Sequence, residues 1–118
     1  MADAALFIGW GEVVRGREMK ALQVFNETQQ YYARLQQAGT IESFEAVILN
    51  PHGGDLVGFI LIRGDQAKLD ALRATEEFQK NQTRAQLIVN NLGVIPAAIG
   101  ASLATGMATY AQAVQELA

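Results

Sequence analysis

Two side chains in this 118-residue sequence could move a proton near neutrality, Glu45 and His52. His52 is the sole histidine and cysteine is absent. That excludes multi-histidine metal sites, thiolate nucleophiles and disulfide frameworks, and would rest any haem ligation on one residue. His52 stands in Pro51-His52-Gly53-Gly54; it reads first as a solvated turn residue and second as an acid–base group. A single loop histidine has no spacing cue to a Ser/His/Asp set. Glu45 sits inside an apolar run. Covered, its carboxyl would be raised by desolvation and suited to acid or base work. On an edge strand it would instead reach water and blunt that edge.

Trp10 and Glu12 share one face of an extended stretch and could line the same cavity as Glu45; packing is the commoner role for such an aromatic. Gly9-Trp10-Gly11 and His52-Gly53-Gly54 lack the glycine and lysine spacing of a phosphate loop. No cofactor is expected from these residues, and no metal.

The elements that must position them are organised around residues 41–63, IESFEAVILNPHGGDLVGFILIR. Two apolar runs flank a turn rich in Pro and Gly, the pattern of a β-hairpin. A four-residue turn at 51–54 makes cross-strand pairs sum to 105. Glu45 then opposes Ile60, Val47 opposes Gly58, and Glu42 answers Arg63 at the open end. A bulge at Gly53-Gly54 would shift the register by one and invert the faces. The third strand is apolar on both faces, so both need cover. Leaving Gly58, Ile60, Ile62, Val47 and Leu49 wet would expose a patch that monomers rarely tolerate. A homodimer through the sheet face is therefore expected.

Around the hairpin the chain reads as strand 4–14, helix 17–38, strands 41–50 and 55–63, helix from 66, strand 92–99 and helix 102–117. The first helix carries Leu22, Phe25, Tyr32 and Leu35 with Ala21 and Thr28 as one apolar stripe. Tyr31 and Tyr32 read as one surface and one core residue, and Gly39 is the expected C-cap. In the first strand Gly9 and Gly11 share a face and leave a groove for close backbone approach. Asp65 is the expected N-cap of the second helical region, which reads equally as two helices or one kinked helix over 66–88. Pro96 confines the fourth strand to an edge or bulge. Leu103, Met107, Tyr110, Val114 and Leu117 recur at intervals of 4, 3, 4 and 3, a seam for one neighbour. A faint repeat at offset 48 maps Arg15-Gly16 and Lys20 onto Arg63-Gly64 and Lys68.

This β-α-β, β-α-β order with a doubly apolar central strand resembles the dimeric α+β barrel superfamily. The resemblance covers about residues 4–99, with a C-terminal helix at about 102–117. It implies an α+β, ferredoxin-like domain with a four-stranded antiparallel sheet and helices on one face. Branches of the superfamily include cofactor-independent monooxygenases, haem-handling enzymes, lactone isomerases, amino-acid-binding regulatory domains and many proteins of unknown role. No branch motif is present, so no family site residue is carried over.

Composition narrows the partners. A net charge of −3 argues against nucleic acid, whose affinity comes from Lys and Arg on phosphates. Residues 85–115 carry no charge, and 92–111 would be long enough to span a bilayer. Pro96, Gly93, Gly100, Gly106 and the lack of a basic flank argue against insertion. The opening Met1-Ala2-Asp3-Ala4-Ala5 has no basic n-region, so a signal peptide is not expected and a cytoplasmic address is. Three functions follow: binding of a small apolar ligand in or beside a dimer barrel through Trp10 and Glu45, cofactor-independent proton-transfer catalysis through Glu45 or His52, or pairing alone.

Overall fold

The computed structural model describes residues 2–118. Its elements are β1 (Ala4–Trp10), α1 (Glu18–Gln37), β2 (Ser43–Ile48), β3 (Gly58–Gly64), α2 (Gln66–Arg73), α3 (Glu76–Gln86), β4 (Gly93–Ala98) and α4 (Gly100–Glu116). The four strands form one antiparallel sheet in the order β2-β3-β1-β4. That is the ferredoxin-like βαββαβ arrangement with an added C-terminal helix. Pro96 lies in edge strand β4, opposite Leu6, where a missing N–H costs no ladder bond on the outer side.

The helix boundaries follow from local chemistry. Gly39 takes φ +78° at the end of α1, and Thr40 N–H returns to Leu35 O at 2.9 Å. Asp65 Oδ2 accepts Lys68 N–H at 3.2 Å and starts α2. Thr75 Oγ1 accepts Phe78 N–H at 3.3 Å and donates to Leu72 O at 2.7 Å. One hydroxyl thereby ends α2 and begins α3, so the region is two helices.

The core lies between the sheet and the first three helices. Leu6, Ile8, Ile60 and Ile62 on the sheet meet Tyr32, Leu69, Leu72 and Phe78 on the helices. Both Tyr31 and Tyr32 are buried, contrary to the expectation of one surface tyrosine. The pair sits at a tilted contact of 5.3 Å. α1 packs against α3 as well as the sheet, so its apolar stripe is wider than one facing layer needs. Leu22, placed in that stripe by spacing, is 61% exposed, and Val24 is buried.

The hairpin register differs from the expected one. Observed pairs sum to 106: Glu45 opposes Leu61, Val47 opposes Phe59 and Ile48 opposes Gly58. β3 starts at Gly58, not residue 55, and β1 ends at Trp10, not residue 14, leaving Val13 in a lone bridge to Val89. The tight turn is replaced by a wider loop: Leu49 N–H bonds Val57 O at 2.9 Å, and Val57 N–H bonds Trp10 O at 2.8 Å. Gly58 then faces the helices under the Trp10 ring, whose Cζ2 would lie 2.9 Å from any Cβ there. The slip turns β2 over relative to β3, so Glu45 and Val47 share the face of Phe59 and Leu61. Gly58, Ile60 and Ile62 are buried under the helices, and the open face carries Phe59 and Leu61.

Among the described residues no helix is long and apolar enough to cross a membrane. α4 leaves the sheet after Ile99, whose N–H bonds Ser102 Oγ at 3.1 Å, and it has no buried residue.

Candidate functional site

Trp10 ends β1 on the helix-facing side, two residues after Ile8 and four after Leu6. Its indole meets Phe25 of α1 edge-on, with ring centroids 6.0 Å apart. Beyond it α1 and α3 stand away from the sheet and leave a cavity of about 510 Å³. Ile8, Ile60 and Val94 form the floor; Val24, Thr28 and Tyr32 from α1 and Phe78, Asn81 and Ala85 from α3 form the walls. Ala85 and Thr28 present short side chains to this space and leave it unfilled. Leu22 and Ile48, each 61% exposed, lie where the cavity meets solvent.

The walls are mostly apolar, with Glu18, Thr28, Asn81 and Gln82 as polar residues among them. Asn81 Nδ2 donates to Thr28 Oγ1 at 2.9 Å and joins α3 to α1 across the cavity. Arg84 Nη1 lies 2.8 Å from the buried Oε2 of Glu27 and holds the same two helices together on the outer side. Burial pushes the Tyr32 phenol well above the usual tyrosine value of 10.0, because its charged form would have to leave water. Burial also raises Tyr31, with Glu77 adding to the rise and Thr75 and Arg34 opposing it.

The structure does not bring Trp10, Glu45 and His52 together. Glu45 is on edge strand β2, on the sheet face away from Trp10. Its carboxylate is 59% exposed and lies 3.8 Å from Arg63 Nη2. With pairs summing to 106, Arg63 shares a face with Glu45, not with Glu42 as the 105 register implied. Glu12 lies past the end of β1 and is exposed. His52 staples its own loop: Nδ1 accepts Gly54 N–H at 3.2 Å and Nε2 stands 2.8 Å from Leu56 O. Those partners assign the proton to Nε2. The groove expected over Gly9 is filled by Phe7 and Leu56, and a Cβ on Gly11 would meet Asn90 O at 3.0 Å and Asp55 O at 3.1 Å. The glycines admit the chain's own segments.

Val24, Asn81 and Ala85 escaped the sequence reading. Asn81 and Ala85 follow Phe78 at i+3 and i+7, so a polar residue on the inward face of α3 was the available signal. Among the described residues no three His, Cys, Asp or Glu side chains gather closely enough to hold a metal ion.

The opposite sheet face forms a second apolar surface. Phe7 and Phe59 stack there at 4.9 Å, with Leu61 and Val47 partly buried and Ile95 54% exposed. The Glu45–Arg63 pair lies at its rim.

No protein-family model matches the chain, and no curated protein matches it. Solved structures do. One is a dimeric protein of unknown function and ferredoxin-like fold from Bacteroides fragilis. It has a TM-score of 0.59 and 10% identity, over 81% of this chain and 96% of that one. Another is SnoaB, a cofactor-independent oxygenase from Streptomyces nogalater, with a TM-score of 0.50 and 18% identity. That match covers 85% of this chain and 94% of SnoaB. At these identities the likeness is one of fold.

Proposed function

We propose that this chain binds a small, largely apolar molecule bearing one hydrogen-bonding group, in the cavity between the sheet and helices α1 and α3. The cavity itself carries the reading. Packed cores rarely leave voids much larger than a water, whereas small-molecule sites occupy about 300–1,000 Å³ with apolar walls and few polar groups. A volume of about 510 Å³ whose few polar groups are Asn81, Thr28, Gln82 and Glu18 fits the second description. The Asn81 amide has two donors and an acceptor, and the Thr28 contact uses one donor, so a ligand hydroxyl or carbonyl has a partner.

Trp10 is the sole tryptophan and lines the cavity, so its fluorescence reports occupancy. Titration with neutral naphthols should change that emission saturably. Ala85→Phe places a ring in the cavity and should abolish the change while far-UV circular dichroism stays as in the parent. Naphthol binding unaffected by Ala85→Phe would remove the cavity as the site.

The chain acts as a homodimer in this reading, joined through the open face of Phe7, Phe59 and Leu61. An apolar sheet face of this kind supports it, as does the dimeric state of the Bacteroides fragilis neighbour. Catalysis is the second reading, favoured by the oxygenase among the neighbours of this fold. Glu45 and His52 lie outside the cavity, and Glu18 is the carboxylate on its wall. Turnover retained in Glu18→Gln would rule out that carboxylate as the proton-transfer group.

A further inference from the structure

α4 is the element that the fold leaves unexplained. It runs from Gly100 to Glu116, meets the body chiefly at β4 and has no buried residue. Gly100 takes φ +54°, and a Cβ there would stand 3.2 Å from Ala2 O, so the glycine turns the chain outward. Along α4 the exposures of Leu103, Met107, Tyr110, Val114 and Leu117 are 49%, 58%, 66%, 51% and 87%. At 100° per residue these five fall on an arc of about 80°. Gly100, Ala104 and Ala111 flank the arc on one side, and Ser102, Gly106 and Ala113 on the other.

We infer that α4 pairs antiparallel with α4 of a second copy of this chain. The spacing favours a helix as occupant. A 4-3-4-3 stripe this narrow is a seam for one helix with the same repeat, whereas a helix lying on a sheet or bilayer buries a broader face. A bilayer-surface helix also carries Lys and Arg on its polar side, and α4 has neither.

The antiparallel sense follows from side-chain size and charge. With pairs summing to 217, Met107 meets Tyr110 of the second copy and Leu103 meets Val114 of the second copy. Each layer joins one a to one d position. Beside the seam, Ala104 approaches Ala111 of the second copy and Gly106 approaches Ala113 of the second copy. Small faces small along both flanks, so the helices can approach closely. Glu116 is the helix's one charged residue and stands at its C-terminal end, against its own dipole. A parallel pair would bring two Glu116 carboxylates together with aligned dipoles. The antiparallel pair separates them by about the 25 Å length of the helix and sets each near the opposite helix's N-terminal end. A seam this short falls below the roughly 800 Å² per partner of a standard interface. It therefore works alongside a second contact such as the open sheet face. It does not depend on what fills the cavity.

The chain has no cysteine, so single-cysteine variants report the pairing directly. M107C mixed with Y110C, and L103C mixed with V114C, should each form a mixed disulfide on mild oxidation. L103C alone should not link to itself. M107E alters a side chain that is 58% exposed in the single chain and should weaken self-association about tenfold or more in sedimentation equilibrium. Self-linkage of L103C would overturn the antiparallel pair. A dimer by light scattering with neither mixed link would overturn the α4 pairing and leave the sheet-face dimer standing. A monomer at all concentrations would overturn both.

Discussion

Replacing Ile62 and Leu61 in turn tests which face of β3 is the core. They are sequence neighbours of similar size, and the way β3 faces in the sheet decides which is buried. Ile62 is 0% exposed among Leu6, Tyr32 and Leu69, whereas Leu61 is partly buried on the open face. Ile62→Ala removes three carbons, about 2.4 kcal/mol at roughly 0.8 kcal/mol each. Incomplete collapse of the void brings the loss to about 3–4 kcal/mol. In a domain of this size that lowers Tm by roughly 12–16 °C, at roughly 4 °C per kcal/mol. Urea unfolding followed by far-UV circular dichroism measures it, with Leu61→Ala as the paired variant. The Ile62→Ala loss should not vary with protein concentration. The Leu61→Ala loss should be about 1 kcal/mol or less in dilute protein and should grow with concentration, because this residue lies on the face assigned to the dimer. Equal losses in dilute protein, or an Ile62→Ala loss below about 1 kcal/mol, would refute the placement of the Ile62 face of β3 in the core.

Gly58→Ala should cost about 1–3 kcal/mol by overpacking, because the new Cβ would lie 2.8 Å from Val47 O and 2.9 Å from Trp10 Cζ2. Thermal melts would read the loss, and Trp10 emission should shift with it. Burial raises the folded-state value of Tyr32 above the ordinary 10.0. The stability it contributes is therefore complete below about pH 10 and lost as pH rises beyond it, where the unfolded chain ionises first. Tyr32→Phe should flatten the fall of Tm between about pH 9 and about pH 11 and leave it near the parent value at neutrality.

Several elements were legible because their chemistry is local. The Gly39 cap, the Asp65 cap and the edge placement of Pro96 each depend on residues within one turn or one strand. The heptad seam of α4 is likewise written in its own spacing. Register was not local. Both faces of β3 are apolar, so hydrophobic patterning fits the sum of 105 as well as 106, and the Gly-rich loop accepts either. Contacts from β1 chose between them: Trp10 O takes the Val57 N–H, and the Trp10 ring needs the space over Gly58. From that shift follow the exposure of Glu45, its pairing with Arg63, and its separation from Trp10.

The sequence by itself determined the order of strands and helices, the caps that bound them and a C-terminal helix with one apolar stripe. Side-chain periodicity and turn chemistry act over a few residues and survive in any tertiary context. Only the tertiary structure decided which apolar face is core and where an empty volume remains. The cavity occupies the distance between two helices and the sheet, with Thr28, Asn81 and Ala85 among its lining. That distance is set by packing among α1, α3 and β1, segments far apart in the chain, and no local pattern encodes it.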